Sequence, residues 1–205
     1  MNGPAAPVVL ALGANLGDPV ATLTEAVEQL AEVDGLHLMA VSPLARTEPV
    51  GGPEQPAYLN AVVLARTTLT PRAVLAAAHL IELRAGRERL VRWGPRTLDV
   101  DVIQYGEGTS AGPGAEPGAD RSSPGVVLSD DPGLTLPHPR AHERAFVLWP
   151  WAQADPQARL VSASGEVAEV SRLAERAPDR AGLEPGPGWP AGSVAAGLLG
   201  RVVAR

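Results

Sequence analysis

Two carboxylates two positions apart, Asp99 and Asp101, follow a run holding four arginines, Arg87, Arg89, Arg92 and Arg96, and one tryptophan, Trp93. From Thr97 the chain alternates, with Leu98, Val100 and Val102 set against Thr97, Asp99 and Asp101, which predicts a strand. On a strand, residues i and i+2 share a face, so the two carboxylates project side by side. Two such groups a few ångströms apart repel unless a cation or a shared proton lies between them. The guanidinium groups just before them can bind only anions, and Gly94-Pro95 in their midst predicts a mobile loop. Carboxylates, arginines and such a loop together meet the requirements of a magnesium–polyphosphate site. Asp-x-Asp also occurs on plain solvated sheet faces, and arginine-rich loops on plain surfaces, so the local pattern leaves both readings open.

Composition narrows the chemistry. With 205 residues the chain can bury a substantial core, and one domain is expected. It has no cysteine, which removes disulfides, thiol chemistry and zinc–thiolate sites. All 17 basic residues are arginine, so a P-loop lysine, a kinase-type strand lysine and Schiff-base chemistry are excluded. A net charge of −6 argues against nucleic acid as a partner. No uninterrupted apolar run is long enough to span a bilayer, and Met1–Pro7 lacks a basic-plus-apolar leader. A cytoplasmic protein with no membrane association is expected.

The elements that must position these residues can be read in order. Val8–Leu12 predicts a buried strand, and Gly13-Ala14-Asn15-Leu16-Gly17 a turn, a weak phosphate-loop candidate that reads equally as a strand-to-helix turn. Asp18-Pro19 predicts a helix start, with Leu23, Ala26, Val27 and Leu30 at helical spacing. Leu36–Ala45 reads as a second strand, followed by a Pro/Gly-rich loop to Pro56. Tyr58–Leu64 reads as a third strand, on which Tyr58 and Asn60 share a face: an aromatic plane beside an amide that both donates and accepts. Thr70-Pro71 starts a second helix, ended by Gly86; the Asp99–Asp101 strand follows. Glu107–Gly133 shifts to Gly, Pro, Ala, Ser and Asp, which predicts a poorly ordered insertion. A helical turn over Arg140–Arg144, an apolar segment Phe146–Pro150, a last helix over about Val167–Glu175 and a Pro/Gly-rich tail complete the reading. The order β-α-β-β-α-β predicts an α+β, ferredoxin-like fold, a mainly antiparallel sheet with helices on one face. The catalytic domain is expected over 1–177 and a Pro/Gly-rich extension over 178–205.

The run Arg92-Trp93-Gly94-Pro95-Arg96-Thr97-Leu98-Asp99-Val100-Asp101 closely resembles the signature of the 6-hydroxymethyl-7,8-dihydropterin pyrophosphokinase family. The resemblance extends in order and spacing through Gly13–Leu16, Arg46-Thr47, Tyr58–Ala61, Ile81–Leu83 with Gly86-Arg87, Leu136–His138, and Arg144 with Phe146–Pro150. It covers about Val8 to Leu160.

The resemblance implies a pyrophosphoryl transfer from ATP to the hydroxymethyl oxygen of the pterin in folate synthesis, with release of AMP. It implies Asp99 and Asp101 as ligands of two Mg2+ ions, and Arg87 and Arg96 as catalytic phosphate binders. ATP would also meet Glu82, Arg89, Arg92, Thr135, His138 and Arg144. The pterin would meet Thr47, Val50, Tyr58, Asn60, Trp93 and Phe146, its ring between Tyr58 and Phe146 and Trp93 closing over it. ATP and the pterin are the expected partners of a monomer. The chain departs from the family pattern in a loop one residue shorter between Arg87 and Trp93, so the individual roles of Arg89 and Arg92 stay open. Leu90 stands where lysine is frequent, and Pro139 where tyrosine is frequent. Two rival readings are a binding module on the same fold, which the acidic charge and scarce aromatics disfavour, and a catalytically decayed member that binds pterin or nucleotide without turnover.

Overall fold

In the computed structural model, which describes residues 5–49, 55–86, 97–107 and 125–201, the first apolar run forms strand β1 (Ala6–Ala14). Gly17, at φ +64°, turns the chain through a left-handed conformation that glycine adopts without strain. Asp18 then caps helix α1 (Pro19–Ala31) by accepting from the Ala21 N–H, and Pro19 gives up no helical bond at the first position.

The single strand expected over Leu36–Ala45 is broken into β2 (Leu36–Val41) and β3 (Ala45–Thr47). Pro43 is the physical cause, since it has no N–H for a ladder. The Ser42 hydroxyl replaces the missing ladder there, accepting from the Val62 N–H at 2.9 Å and donating to the Pro43 carbonyl at 2.8 Å. Strand β4 (Tyr58–Thr67), helix α2 (Pro71–Arg84) and strand β5 (Asp99–Tyr105) follow.

Residues 125–133 correct the expected insertion. Val126 bridges to Gly106, the Val127 N–H donates to the Tyr105 carbonyl at 2.8 Å, and β6 (Ser129–Asp131) pairs with β7 (Leu134–Leu136). Val127 gains apolar cover from the core, which composition averaged over the segment conceals; 108–124 lie outside the described residues. Helix α3 (Ala145–Ala154) holds the apolar segment. Strand β8 (Arg159–Val161) pairs with β9 (Val167–Glu169), so the last expected helix starts later, as α4 (Val170–Arg176). The Pro/Gly-rich tail contributes β10 (Leu183–Pro185) and α5 (Val194–Leu198).

The main sheet runs β10-β3-β4-β1-β5, with β2 also on β4, and among the described residues its strand pairs are antiparallel. Helices cover both faces, not one. Val8, Leu10 and Leu12 of β1 join α1, α2 and α5 in one apolar cluster, whereas Val9 and Ala11 join α3 and α4 in another. A sheet buried on both sides carries continuous apolar runs, which is why β1 and β4 show no polar alternation. Among the described residues no helix is long and apolar enough to cross a membrane.

Candidate active site

The register assembles the site. Ala45, Asn60, Gly13 and Asp99 align across β3, β4, β1 and β5, and Asp101 stands opposite Ala11. Val100 and Val102 belong to the cluster under α1 and α2, so Asp99 and Asp101 face the α3 side. Strands about 4.8 Å apart put Asn60 about 10 Å from Asp99, two strands away. Gly13 keeps the lane between them open, since a Cβ there would lie 3.1 Å from the Asn60 Oδ1.

At one end of this lane the Asn60 side-chain amide donates to the Thr47 hydroxyl at 2.9 Å, with both residues buried. Tyr58 stands opposite Thr47 in the register, and its hydroxyl donates to the Gln55 Oε1 at 3.0 Å. The same oxygen accepts from the Asn15 amide at 3.1 Å, which also donates to the Pro56 carbonyl at 3.1 Å. Buried Asn15 thus ties the turn after β1 to the chain entering β4, a structural role for what read as a weak phosphate loop. Sequence reasoning missed the Asn15–Gln55 contact because no local pattern links residues 40 positions apart. Phe146, in the first turn of α3, packs half-buried against the apolar cluster on this face. The Arg144 guanidinium lies 5.5 Å from its ring centroid.

At the other end Arg144 Nη1 stands 3.7 Å from Asp101 Oδ2. His138 is held beside them by its backbone N–H, which donates to the Ile103 carbonyl at 2.8 Å. Its Nδ1 accepts from the Arg140 N–H at 3.2 Å, so the neutral ring carries its proton on Nε2. Burial first, and then the Arg144 guanidinium, push the imidazole down to about 4, against the pull of the Asp99 carboxylate. The folded chain therefore keeps His138 neutral where the unfolded chain takes up a proton. Its contribution to stability is complete above about pH 6.5 and is lost as pH falls from there toward about 4. Urea midpoints at pH 7, 5.5 and 4.5 are expected to fall more steeply for the wild type than for His138→Gln; parallel slopes would refute the assignment.

Two expected site residues sit apart from this face. Glu82 is 3 % exposed, and its carboxylate accepts from the Val100 N–H at 2.8 Å, which places it behind the Asp99–Asp101 segment. The Thr135 hydroxyl is engaged within its own hairpin, donating to the Asp131 carbonyl at 3.2 Å. Val50, Arg87, Arg89, Arg92, Trp93 and Arg96 lie outside the described residues. The structure thus brings together Asp99, Asp101, His138 and Arg144 at one end and Thr47, Tyr58 and Asn60 at the other, with Phe146 beside Arg144 on the same face.

Among the described residues no group of three or more His, Cys, Asp or Glu forms a metal cage. Magnesium does not ask for one: it is held by one or two carboxylates and completes its shell with water and substrate phosphates. The adjacent, hard-oxygen pair Asp99 and Asp101 fits that demand.

The fold matches solved structures of a defined class of protein. The wild-type Plasmodium falciparum HPPK-DHPS with pterin and p-hydroxybenzoate aligns with a TM-score of 0.57 at 12% identity over 90% of this chain. A second structure of the wild-type protein aligns with a TM-score of 0.55 at 13% identity over 85% of the chain. The alignments span 46% and 45% of those longer chains. Sequence then specifies the family. Residues 9–156 match the model of 7,8-dihydro-6-hydroxymethylpterin-pyrophosphokinase, and the chain belongs to that family. The 2-amino-4-hydroxy-6-hydroxymethyldihydropteridine pyrophosphokinase of Mycobacterium leprae is 44% identical over 81% of this chain and 80% of its own. The proteins of that name from Mycobacterium tuberculosis (strain H37Rv) and Pseudomonas aeruginosa are 41% and 38% identical, over 83% and 75% of this chain and 84% and 83% of their own.

Proposed function

We propose that this chain transfers the pyrophosphoryl group of ATP to the hydroxymethyl oxygen of 6-hydroxymethyl-7,8-dihydropterin, a step of folate synthesis. One observation carries the reading. In a chain of this family, the Asp99–Asp101 pair and the buried Thr47–Asn60 pair share one sheet face, about two strand spacings apart. That separation suits a bicyclic ring whose exocyclic hydroxymethyl must reach the phosphates.

Asn60 and the backbone around Thr47 read the polar edge of the pterin, and Tyr58 and Phe146 cover its two faces. Val50 and Trp93 complete the pocket. Asp99 and Asp101 would hold two magnesium ions, which would neutralise phosphate charge and lower the pKa of the attacking hydroxyl. Arg144 and the His138 Nε2–H bind phosphate oxygens, and Arg87, Arg89, Arg92 and Arg96 supply the remaining guanidinium contacts. Glu82 supports the site from behind by holding the Val100 N–H between the two aspartates, and Thr135 stays within its hairpin. The hydroxymethyl oxygen forms a bond to the β-phosphorus, the bond from that phosphorus to the α,β-bridging oxygen breaks, and AMP leaves with that oxygen. The hydroxyl proton passes to solvent. The protein contributes alignment and charge neutralisation, with no covalent intermediate on the chain.

The test is AMP release from ATP and magnesium with and without the pterin. AMP is expected only when both substrates and the metal are present. Pterin binding without AMP release would make the chain a decayed binder, and neither binding nor release would refute the reading.

A further inference from the structure

The Pro/Gly-rich tail touches both walls of the proposed pterin pocket at separate points. On the strand wall, β10 pairs with β3 and sets Leu183 opposite Thr47. The next residue, Gly186, donates its N–H to the Leu44 carbonyl at 2.7 Å. A Cβ on Gly186 would meet the Leu44 backbone at 3.0 Å, so only glycine allows this approach. Three residues on, Trp189 is 8% exposed and its indole N–H donates to the Ser42 carbonyl at 2.8 Å. Ser42 is the corner where β2 stops and β3 begins, and Val62 of β4 holds its other side. The three-residue β3 that carries Thr47 is therefore fixed by β4 on one edge and by the tail on the other.

On the helix wall, α3 begins at Ala145, and the residue in its cap position, Arg144, makes no side-chain cap bond. Asp179, from the start of the same tail, accepts from the Ala145 N–H at 2.7 Å. It closes one of the open donors of the first turn from 34 positions away and places a carboxylate at the positive end of the helix dipole. Phe146 is the next residue.

We propose that the segment Asp179–Trp189 is a clamp that sets the distance between the two walls of the pterin pocket. Asp179 and Trp189 act as positioning residues, one for Phe146 and one for Thr47. This rests on the pterin reading above and goes beyond it by assigning substrate discrimination to residues that touch no substrate. The Gly186 and Trp189 bonds fall on the β2–β3 corner alone, whereas Ala145 lies between Arg144 and Phe146, so the strand arm of the clamp acts on the pterin selectively and the helix arm reaches both ends of the site.

The experiment compares KM for the pterin and KM for ATP in Asp179→Ala, Asp179→Asn and Trp189→Phe, with a thermal melt for each. Loss of one anchoring hydrogen bond is expected to raise the pterin KM about ten-fold in Asp179→Ala and in Trp189→Phe. In Trp189→Phe KM for ATP should stay within about two-fold of wild type, and Asp179→Asn, which keeps an acceptor oxygen, should restore the pterin value lost in Asp179→Ala. A purely structural tail would move both KM values of Trp189→Phe together with the melting temperature, and that result, or no change in either KM, overturns the clamp. Trp189→Phe keeps the buried ring; should it fail to fold, the half-exposed Asp179 variants decide alone, and an Asp179→Ala pterin KM that Asp179→Asn does not restore overturns the clamp. A wild type that shows no pterin-dependent turnover would instead refute the functional reading.

Discussion

Asp101→Ala is expected to lower AMP release about 10³-fold, the scale on which removal of a preorganised electrostatic group acts, while the chain melts at or above the wild-type temperature. The two outcomes have one cause. Asp99 and Asp101 project from β5 toward the same face, so without a cation each raises the cost of the other. Removing one relieves that repulsion, and the pair between Arg144 and Asp101, at 3.7 Å and with both side chains partly exposed, is a contact that contributes little to stability. Asp99→Ala should behave alike. Asp101→Asn preserves shape and removes charge, and it should be nearly as inactive because a neutral amide is a poor magnesium ligand. AMP release measured across a magnesium titration, beside a thermal melt, checks all three. Turnover within ten-fold of wild type in any of them would remove the metal role from this pair.

Asn60→Ala is expected to raise the pterin KM about 10²-fold, equal to two hydrogen bonds of about 1.4 kcal/mol each, and to leave KM for ATP unchanged. It also strands the buried Thr47 hydroxyl that the Asn60 amide now meets at 2.9 Å, so a stability cost of about 1–3 kcal/mol accompanies it. Thr47→Ser keeps the hydroxyl and should stay near wild type on both counts. Urea denaturation and the two KM values separate the effects. An Asn60→Ala enzyme with an ordinary pterin KM would mean that the amide serves only the sheet.

What could be read in advance depended on how local its cause was. The Asp18 and Thr70 caps, each followed by proline, and Gly86 past the end of α2 are short-range signals, and they sit where the structure puts them. Alternation around Asp99 and Asp101 likewise assigned both to one face. The break at Ser42–Leu44 was missed although Pro43 marks it, because the flanking apolar residues outweighed one residue in the pattern. Helices on the second face were invisible because the β-α-β-β-α-β core ends before α3 begins. Asn15 with Gln55, Asp179 with Ala145 and Trp189 with Ser42 join residues 40, 34 and 147 positions apart, and no periodicity encodes such pairs. The resemblance supplied what geometry could not, namely the proposed assignment of pterin and nucleotide contacts to particular residues.

Among the described residues strand β5 stands at one end of the sheet with β1 as its only strand partner, a position that ordinarily leaves a row of backbone groups free to recruit a strand from another molecule. Here the Glu82 carboxylate takes the Val100 N–H, the His138 N–H takes the Ile103 carbonyl, and the Val127 N–H takes the Tyr105 carbonyl. The opposite margin is β10, only three residues long, where Pro185 has no N–H to offer and Glu184 presents an exposed charge. Both margins are thus blunted against intermolecular strand addition. At the β5 end Glu82 and His138 flank the carboxylate pair, so groups bordering the proposed reaction centre also guard the protein against sheet-to-sheet aggregation.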